Sequence, residues 1–145
     1  MARPTKFRKV EFFPSNTYFV PWGKSKCEIE EIKLKVEELE AMRLKDIEDL
    51  TQEECAEKMQ VSRQTFQNII NSARKKIAMA LTEGYAIRIC GGNYKTTFCQ
   101  FKCSNCGNTY DINYKQDKYI CPVCGSDNIA CSKKSEFCKK WCKKR

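Results

Sequence analysis

The chain has 145 residues, with 27 Lys and Arg against 18 Asp and Glu, a formal net charge of +9, 11 cysteines and no histidine. That length is one ordinary domain or two small ones. Without histidine there is no Ser-His-Asp triad, no Cys-His nucleophile pair, no HExxH zinc protease and no imidazole general base, and any metal must be held by thiolates or carboxylates.

The basic surplus favours a polyanionic partner, with nucleic acid the first expectation. Phe12, Phe13, Tyr18, Phe19, Val20 and Trp22 are broken by Pro14 and Pro21, so no signal-peptide core forms. No stretch approaches the roughly 18 apolar residues of a membrane span, so no membrane partner is expected. A cytoplasmic location follows as an expectation, and there paired cysteines mean metal more often than disulfide.

Composition divides the chain into a basic and aromatic segment 1–26, a domain 27–94, a cysteine-rich module 95–131 and a basic tail 132–145. The first 26 residues carry a net charge of +5, residues 27–50 carry −5, 51–94 carry +2 and 95–145 carry +7. Arg3, Lys6, Arg8 and Lys9 read as a mobile arm for phosphates or a minor groove, with the following aromatics capping a core. The acids of 28–49 would repel DNA, so they are expected to face away from it or toward a partner.

Val36, Leu39, Met42, Ile47 and Leu50 recur at near-helical spacing. Thr51 with Glu54 three residues on is a capping-box pattern, opening a short helix that carries Cys55, Ala56 and Met59 on its apolar side. Ser62 is a second N-cap, starting a helix to about Leu81 that Gly84 ends. Two helices joined at Gln60-Val61 have the length of a helix-turn-helix. Tyr85–Cys90 reads as a short strand, and Gly91-Gly92-Asn93 as a linker.

At 100° per residue, Ile69, Ile70, Ala73, Ile77, Ala80 and Leu81 fall within about 60° of Phe66 and form the core stripe. Gln64, Gln67, Asn68, Asn71 and Lys75 cluster on the opposite side, flanked by Arg63 and Arg74. From Ser62 to Leu81 there is no acid. An ordinary solvated face is rich in Glu and Lys, and asparagine is a mediocre helix former, so helix stability does not account for this face. Amide side chains match adenine N6 and N7 in the major groove, Arg63 suits guanine or phosphate, and Arg74, Lys75 and Lys76 suit phosphates. Ala78 and Met79, on the outer side past these residues, are expected to pack under the N-terminal segment or against a second subunit, which keeps a homodimer among the expectations.

Residues 1–94 resemble a prokaryotic family of predicted DNA-binding proteins, the domain-of-unknown-function 134 or UPF0251 group. The matching stretches include Met-Ala-Arg-Pro at the start, Thr17-Tyr18-Phe19, Val36 to Asp46, Thr51 to Ala56, Val61 to Phe66, Ser72 to Lys76 and Gly91-Gly92-Asn93-Tyr94. That family's helix-turn-helix looks like region four of sigma factors, so the resemblance implies sequence-specific binding of double-stranded DNA. Gln60 stands where such turns often have glycine.

Cys103-Ser-Asn-Cys106 and Cys121-Pro-Val-Cys124 are two CxxC knuckles separated by 14 residues. Four thiolates at this spacing close a tetrahedron about one structural zinc ion per chain; iron fits the same donors. Thr109–Ile112 and Lys118–Ile120 read as the strands of a zinc ribbon, too small to fold on apolar burial alone. Cys131, Cys138 and Cys142 lie in or beside a lysine-rich tail that binds phosphates electrostatically or forms a second metal or redox site. The expected fold is α+β in two small modules, a mainly α helix-turn-helix domain and a small β zinc ribbon. The expected function is transcriptional regulation by sequence-specific DNA binding, without enzyme activity, since no site combines nucleophile, base and pocket. The alternatives are an adaptor bound to RNA polymerase or another protein, and a thiol- or metal-responsive sensor.

Overall fold

A computed structural model describes residues 4–25, 27–96 and 100–131. Arg3, Cys99, Cys138, Cys142 and the tail lysines lie outside the described residues. The chain forms two compact units, one of Arg8–Tyr94 and one joining Met1–Phe7 to Lys95–Arg145, so it passes between them after Phe7 and after Tyr94. The architecture is α+β, a helical unit followed by a small strand-rich one.

The helical unit runs β1 (Arg8–Lys9), β2 (Tyr18–Phe19), β3 (Glu31–Leu34), α1 (Val36–Met42), α2 (Gln52–Met59), α3 (Arg63–Glu83) and β4 (Ala86–Ile89), and ends in β5 (Tyr94–Lys95), whose Lys95 belongs to the other unit. A π-helical turn, Arg43–Ile47, continues α1. β4 lies between β2, antiparallel to it, and β3, parallel to it, with Ile32 opposite Ile87 and Leu34 opposite Ile89. Parallel neighbours need a crossover. Here all three helices make it, so one strand pair ties both ends of the helical segment together.

Phe66, Ile69 and Ile70 of α3 pack with Ala41 and Leu44 and with Cys55, Ala56 and Met59 of α2. Phe66 and Met59 are fully buried, as the apolar spacing requires. The stripe ends sooner than helical geometry predicts. Ile77 is half-buried, and Leu81, at the stripe's edge on the last turn, is 76% exposed. Ala78 and Met79 are exposed as well.

The acids of α1 depart most from expectation. Of the nine acids of 28–49, Glu37, Glu38 and Glu40 are buried, whereas Glu28, Glu30, Glu31, Asp46, Glu48 and Asp49 are exposed. Glu38 accepts from Ser72 Oγ at 2.6 Å and Lys76 Nζ at 2.7 Å, and caps α1 by accepting from Lys35 N at 2.9 Å. Glu40 accepts from Arg43 Nε at 2.7 Å and from Glu11 N at 2.6 Å. Glu37 accepts from Asn93 N at 2.8 Å and faces Arg8 Nε at 3.3 Å. Burial pushes the Glu37 carboxyl above its ordinary range, against the pull of the Asn93 amide and Arg8.

These contacts refine one expectation and correct another. Gly91-Gly92-Asn93 stands just before the boundary between the units, after Tyr94, and is held as a docked turn: Gly92 has φ +107, and a Cβ there would run into Glu37 Oε1. The basic arm ends by Phe7, since Phe7 and Val10 are buried and Arg8 lies on Glu37. Of the N-terminal aromatics, Phe13 packs on Tyr94 at 5.6 Å, whereas Phe19 and Trp22 are exposed.

In the second unit, β6 (Gln100–Cys103) is central, antiparallel to β7 (Thr109–Asp111) and to β8 (Ile129–Cys131). Lys118–Ile120 is not a strand. A 3-10 turn occupies Lys115–Lys118, and Ile129–Cys131 supplies the third strand. Phe7, Phe101 and Ile112 form a small core, edged by Tyr110, Ile129 and Cys131. Buried Asp117 accepts from the amides of Asn113 and Tyr114, both at 3.0 Å. Among the described residues, no helix is long and apolar enough to cross a membrane.

The Glu38 contacts set the attachment of α1 to α3. Glu38→Ala leaves Ser72 and Lys76 without their partner, although the 28% exposed Lys76 side chain can turn to water. The expected loss is about 2 kcal/mol in urea denaturation, whereas Glu57→Ala on the exposed side of α2 changes stability by under about 0.5 kcal/mol.

Candidate nucleic-acid interface and metal centre

The α2–α3 corner is set by capping chemistry. Thr51 Oγ1 accepts from Glu54 N at 3.2 Å, starting α2, and Ser62 Oγ accepts from Thr65 N at 3.1 Å, starting α3. Between them Gln60 adopts the left-handed conformation, φ 57 and ψ 43. Val61 N–H reaches Ala56 O at 3.0 Å and Gln60 N–H reaches Glu57 O at 3.1 Å, the two bonds of a Schellman stop. Gln60 therefore takes the backbone conformation that glycine takes more cheaply, and residues 60–62 alone join α2 to α3.

On α3, Arg63, Gln64, Asn68 and Asn71 are exposed and Gln67 is half-buried, while Phe66, Ile69, Ile70 and Ala73 are buried on the other side. Gln64 Nε2 donates to Asn68 Oδ1 at 3.1 Å, and Gln67 Nε2 to Asn71 Oδ1 at 2.9 Å. The predicted face is thus one array of amides, one helical turn between partners. Lys75 is exposed farther along. Arg74 is exposed but pairs with Asp46 at 2.6 Å. Both side chains are about half exposed, so the pair is weak and open to exchange with a phosphate. Lys76, expected on phosphates, is instead engaged by Glu38.

One member of this array was not visible in the sequence. Gln52, the first residue of α2, accepts from Arg63 Nε at 3.2 Å and donates to Gln67. Its position just after the Thr51 cap was the only local signal; its partners are 11 and 15 residues away.

In the strand-rich unit, Cys103, Cys106, Cys121 and Cys124 bring their sulfurs within 4.8 Å of one another. The Cys103–Cys124 and Cys106–Cys121 separations are 3.6 and 3.7 Å. Four sulfurs each about 2.3 Å from a common tetrahedral centre stand roughly 3.8 Å apart, so the donor set fits one thiophilic metal ion. The two knuckles repeat one geometry. Gly107 N donates to Cys103 O and Gly125 N to Cys121 O, both at 2.9 Å, with φ +77 and +76 at the glycines. Side chains with a Cβ are strained at that φ, which fixes glycine after each CxxC.

Two of the four thiols are shifted, in opposite directions. The Ser126 amide, helped by Asn105 and the neighbouring thiols, pulls Cys124 down to about 6. At Cys106 the Asn108 amide pulls downward, but desolvation and its three neighbours together push it up to about 11. Negative charges on sulfurs this close repel one another, so Cys124 ionises readily and Cys106 reluctantly. A divalent cation relieves that repulsion. Asn105 Nδ2 lies 3.7 Å from Cys124 Sγ, a second contact suited to a thiolate.

Comparison with known proteins places this architecture. Residues 1–97 match the family model described as "Protein of unknown function DUF134". The chain belongs to this family. It is 71% identical over 143 residues to a UPF0251 protein of Clostridium tetani, covering 99% of this chain and 97% of that protein. It is 68% identical over 143 residues to a UPF0251 protein of Clostridium botulinum strain Loch Maree, covering 99% of this chain and 91% of that one. No solved structure matches.

Metal must displace protons from the thiols, so binding is expected to release protons already at neutral pH, where Cys106 is protonated, and to weaken more steeply still below about 6, where Cys124 is protonated too. Chelator competition with zinc across pH tests this. In NMR spectra at neutral pH, stripping the metal should collapse the dispersed signals of residues 100–131. Those of the Phe66 core should remain, since that core is made wholly within the helical unit.

Proposed function

We propose that the chain is a sequence-specific DNA-binding protein, a transcriptional regulator, that reads the major groove with α3 and carries one structural zinc ion on Cys103, Cys106, Cys121 and Cys124. The observation that carries the reading is the outward face of α3. It is acid-free from Ser62 to Leu81, its amides are held in an ordered array, and it stands on a capped helix-turn-helix corner. Gln64, Gln67, Asn68 and Asn71 present paired donors and acceptors for base edges. Arg63 serves base or phosphate, and Arg74 and Lys75 neutralise phosphates beyond the bases. Three of the nine acids of 28–49, Glu37, Glu38 and Glu40, lie inside the protein, and the exposed Asp46 pairs with Arg74.

Zinc is proposed over iron because the site needs no redox change to do its work. It closes a module whose fully buried apolar cluster, among the described residues, is Phe7, Phe101 and Ile112, edged by Tyr110, Ile129 and Cys131. Four protein ligands leave no open position for substrate, so the ion's part is to hold the two knuckles together.

Selection from random duplex DNA near physiological salt, with metal-loaded and metal-stripped protein side by side, tests the reading. A defined motif is expected. Gln64→Ala should then cost about 1–3 kcal/mol on the best site and relax the preference at one base pair, with the salt dependence retained. Enrichment of no sequence, with binding that only follows salt, would remove the regulator reading in favour of an adaptor.

A further inference from the structure

The amides on α3 are joined to Gln52 by hydrogen bonds of a single polarity. Arg63 Nε donates to Gln52 Oε1 at 3.2 Å, Gln52 Nε2 donates to Gln67 Oε1, and Gln67 Nε2 donates to Asn71 Oδ1 at 2.9 Å. A guanidinium has N–H donors and no acceptor, whereas an amide has a donor end and an acceptor end. Arg63 can therefore meet only the carbonyl of Gln52. That turns the Gln52 NH2 toward Gln67, which takes it on its own carbonyl and passes its NH2 to Asn71. One cation sets the direction of three amides, and Gln52 carries that direction from α2 to α3.

The polarity decides what each amide has left to offer. Gln67 is engaged at both ends and keeps one N–H and one lone pair. Asn71 accepts one bond on its carbonyl, which keeps one lone pair, and has its whole NH2 left to donate, and Asn68, taking a bond from Gln64, is placed alike. In the major groove the acceptor edges are guanine N7 and O6, adenine N7 and thymine O4, and the donor edges are cytosine N4 and adenine N6.

We propose that Gln52 is a positioning residue for base readout: polarised by Arg63, it holds Gln67 and Asn71 so that Asn71 acts as a donor selecting an acceptor-rich base edge, guanine foremost. This inference rests on the DNA-binding reading and specifies which chemical edge one part of α3 selects.

Gln52→Glu reverses the row. A carboxylate only accepts, so it takes bonds from both Arg63 Nε and Gln67 Nε2. Gln67 then turns its carbonyl to Asn71, and Asn71 releases its own carbonyl toward the bases. An acid in the first turn of α2 suits the helix dipole, so the fold is retained and thermal melting checks it. The new charge weakens all duplexes alike, and the result is therefore read as relative preference at each base pair.

The experiment is selection from random duplex DNA with full-length, zinc-loaded wild type, Gln52→Glu and Gln52→Ala. With Gln52→Glu, the preference at one position should switch from guanine to a donor edge, adenine or cytosine. With Gln52→Ala, about tenfold discrimination at that position should fall to about twofold at unchanged melting temperature. A switch of preference cannot arise from unfolding, which only removes it. A wild-type motif that both variants keep at every position overturns the proposal and leaves the DNA reading standing. A wild type that selects no motif overturns that reading and this proposal with it.

Discussion

Three buried carboxylates on one short helix organise the larger unit. Glu37, Glu38 and Glu40 are each at most 3% exposed, in a chain of net charge +9. Buried charges persist only when paired and hydrogen-bonded, and each of these is. Glu38 reaches α3 through Ser72 and Lys76, Glu40 takes in Arg43 and the Glu11 amide, and Glu37 takes in Arg8 and the Asn93 amide. Helix α1 is thereby joined to α3, to the N-terminal segment and to the turn after β4. The roll of α3 about its axis is fixed from both sides, by Phe66, Ile69 and Ile70 in the apolar core and by Ser72 and Lys76 on Glu38. With that roll fixed, the amides have one direction left, outward. The same burial withdraws negative charge from the surface that an approaching polyanion meets.

The two units are stabilised by different physics. In Arg8–Tyr94, side chains from three helices share one apolar core, and the parallel β3–β4 pair closes the segment that carries them. Among its described residues the second unit has three short strands over a core of Phe7, Phe101 and Ile112, and two matched CxxC turns whose sulfurs come together. A metal ion held by the four thiolates would make up for the apolar area that so short a module lacks. The Tyr110 hydroxyl, pushed up to about 12 chiefly by burial, stays protonated and donates to Asp117 O at 2.7 Å, tying β7 to the 3-10 turn.

What the sequence revealed was local. The Thr51 and Ser62 caps, the stop at Gly84, the Phe66 stripe and the two knuckles each depend on residues within a turn or two, and each lies where spacing placed it. What it concealed depends on distant partners. The Glu38, Lys76 and Ser72 contacts span 38 and 34 residues, and the Glu37 to Asn93 bond spans 56, so acids in a row read as surface. Leu81 fits the helical period yet is 76% exposed, because the period says which side a residue faces but not where the packing partner ends. Ile129–Cys131 pairs with β6 across 28 residues, a pairing with no local mark, whereas Lys118–Ile120 has strand-like composition but follows a 3-10 turn anchored by Asp117. Gln52 is the same case at the site itself, a polar side chain whose role exists only once α2 crosses α3.

The central claim is that the outward amides of α3 touch bases. Side-chain NH2 resonances report this directly in a chain of 16.9 kDa. The measurement is an NMR titration of the zinc-loaded protein with its selected duplex near physiological salt. The account predicts large shifts and slowed exchange at the Gln64, Gln67, Asn68 and Asn71 amides, with Glu38-linked Lys76 unmoved. Shifts confined to lysines and arginines, with those four amides unchanged, would contradict it.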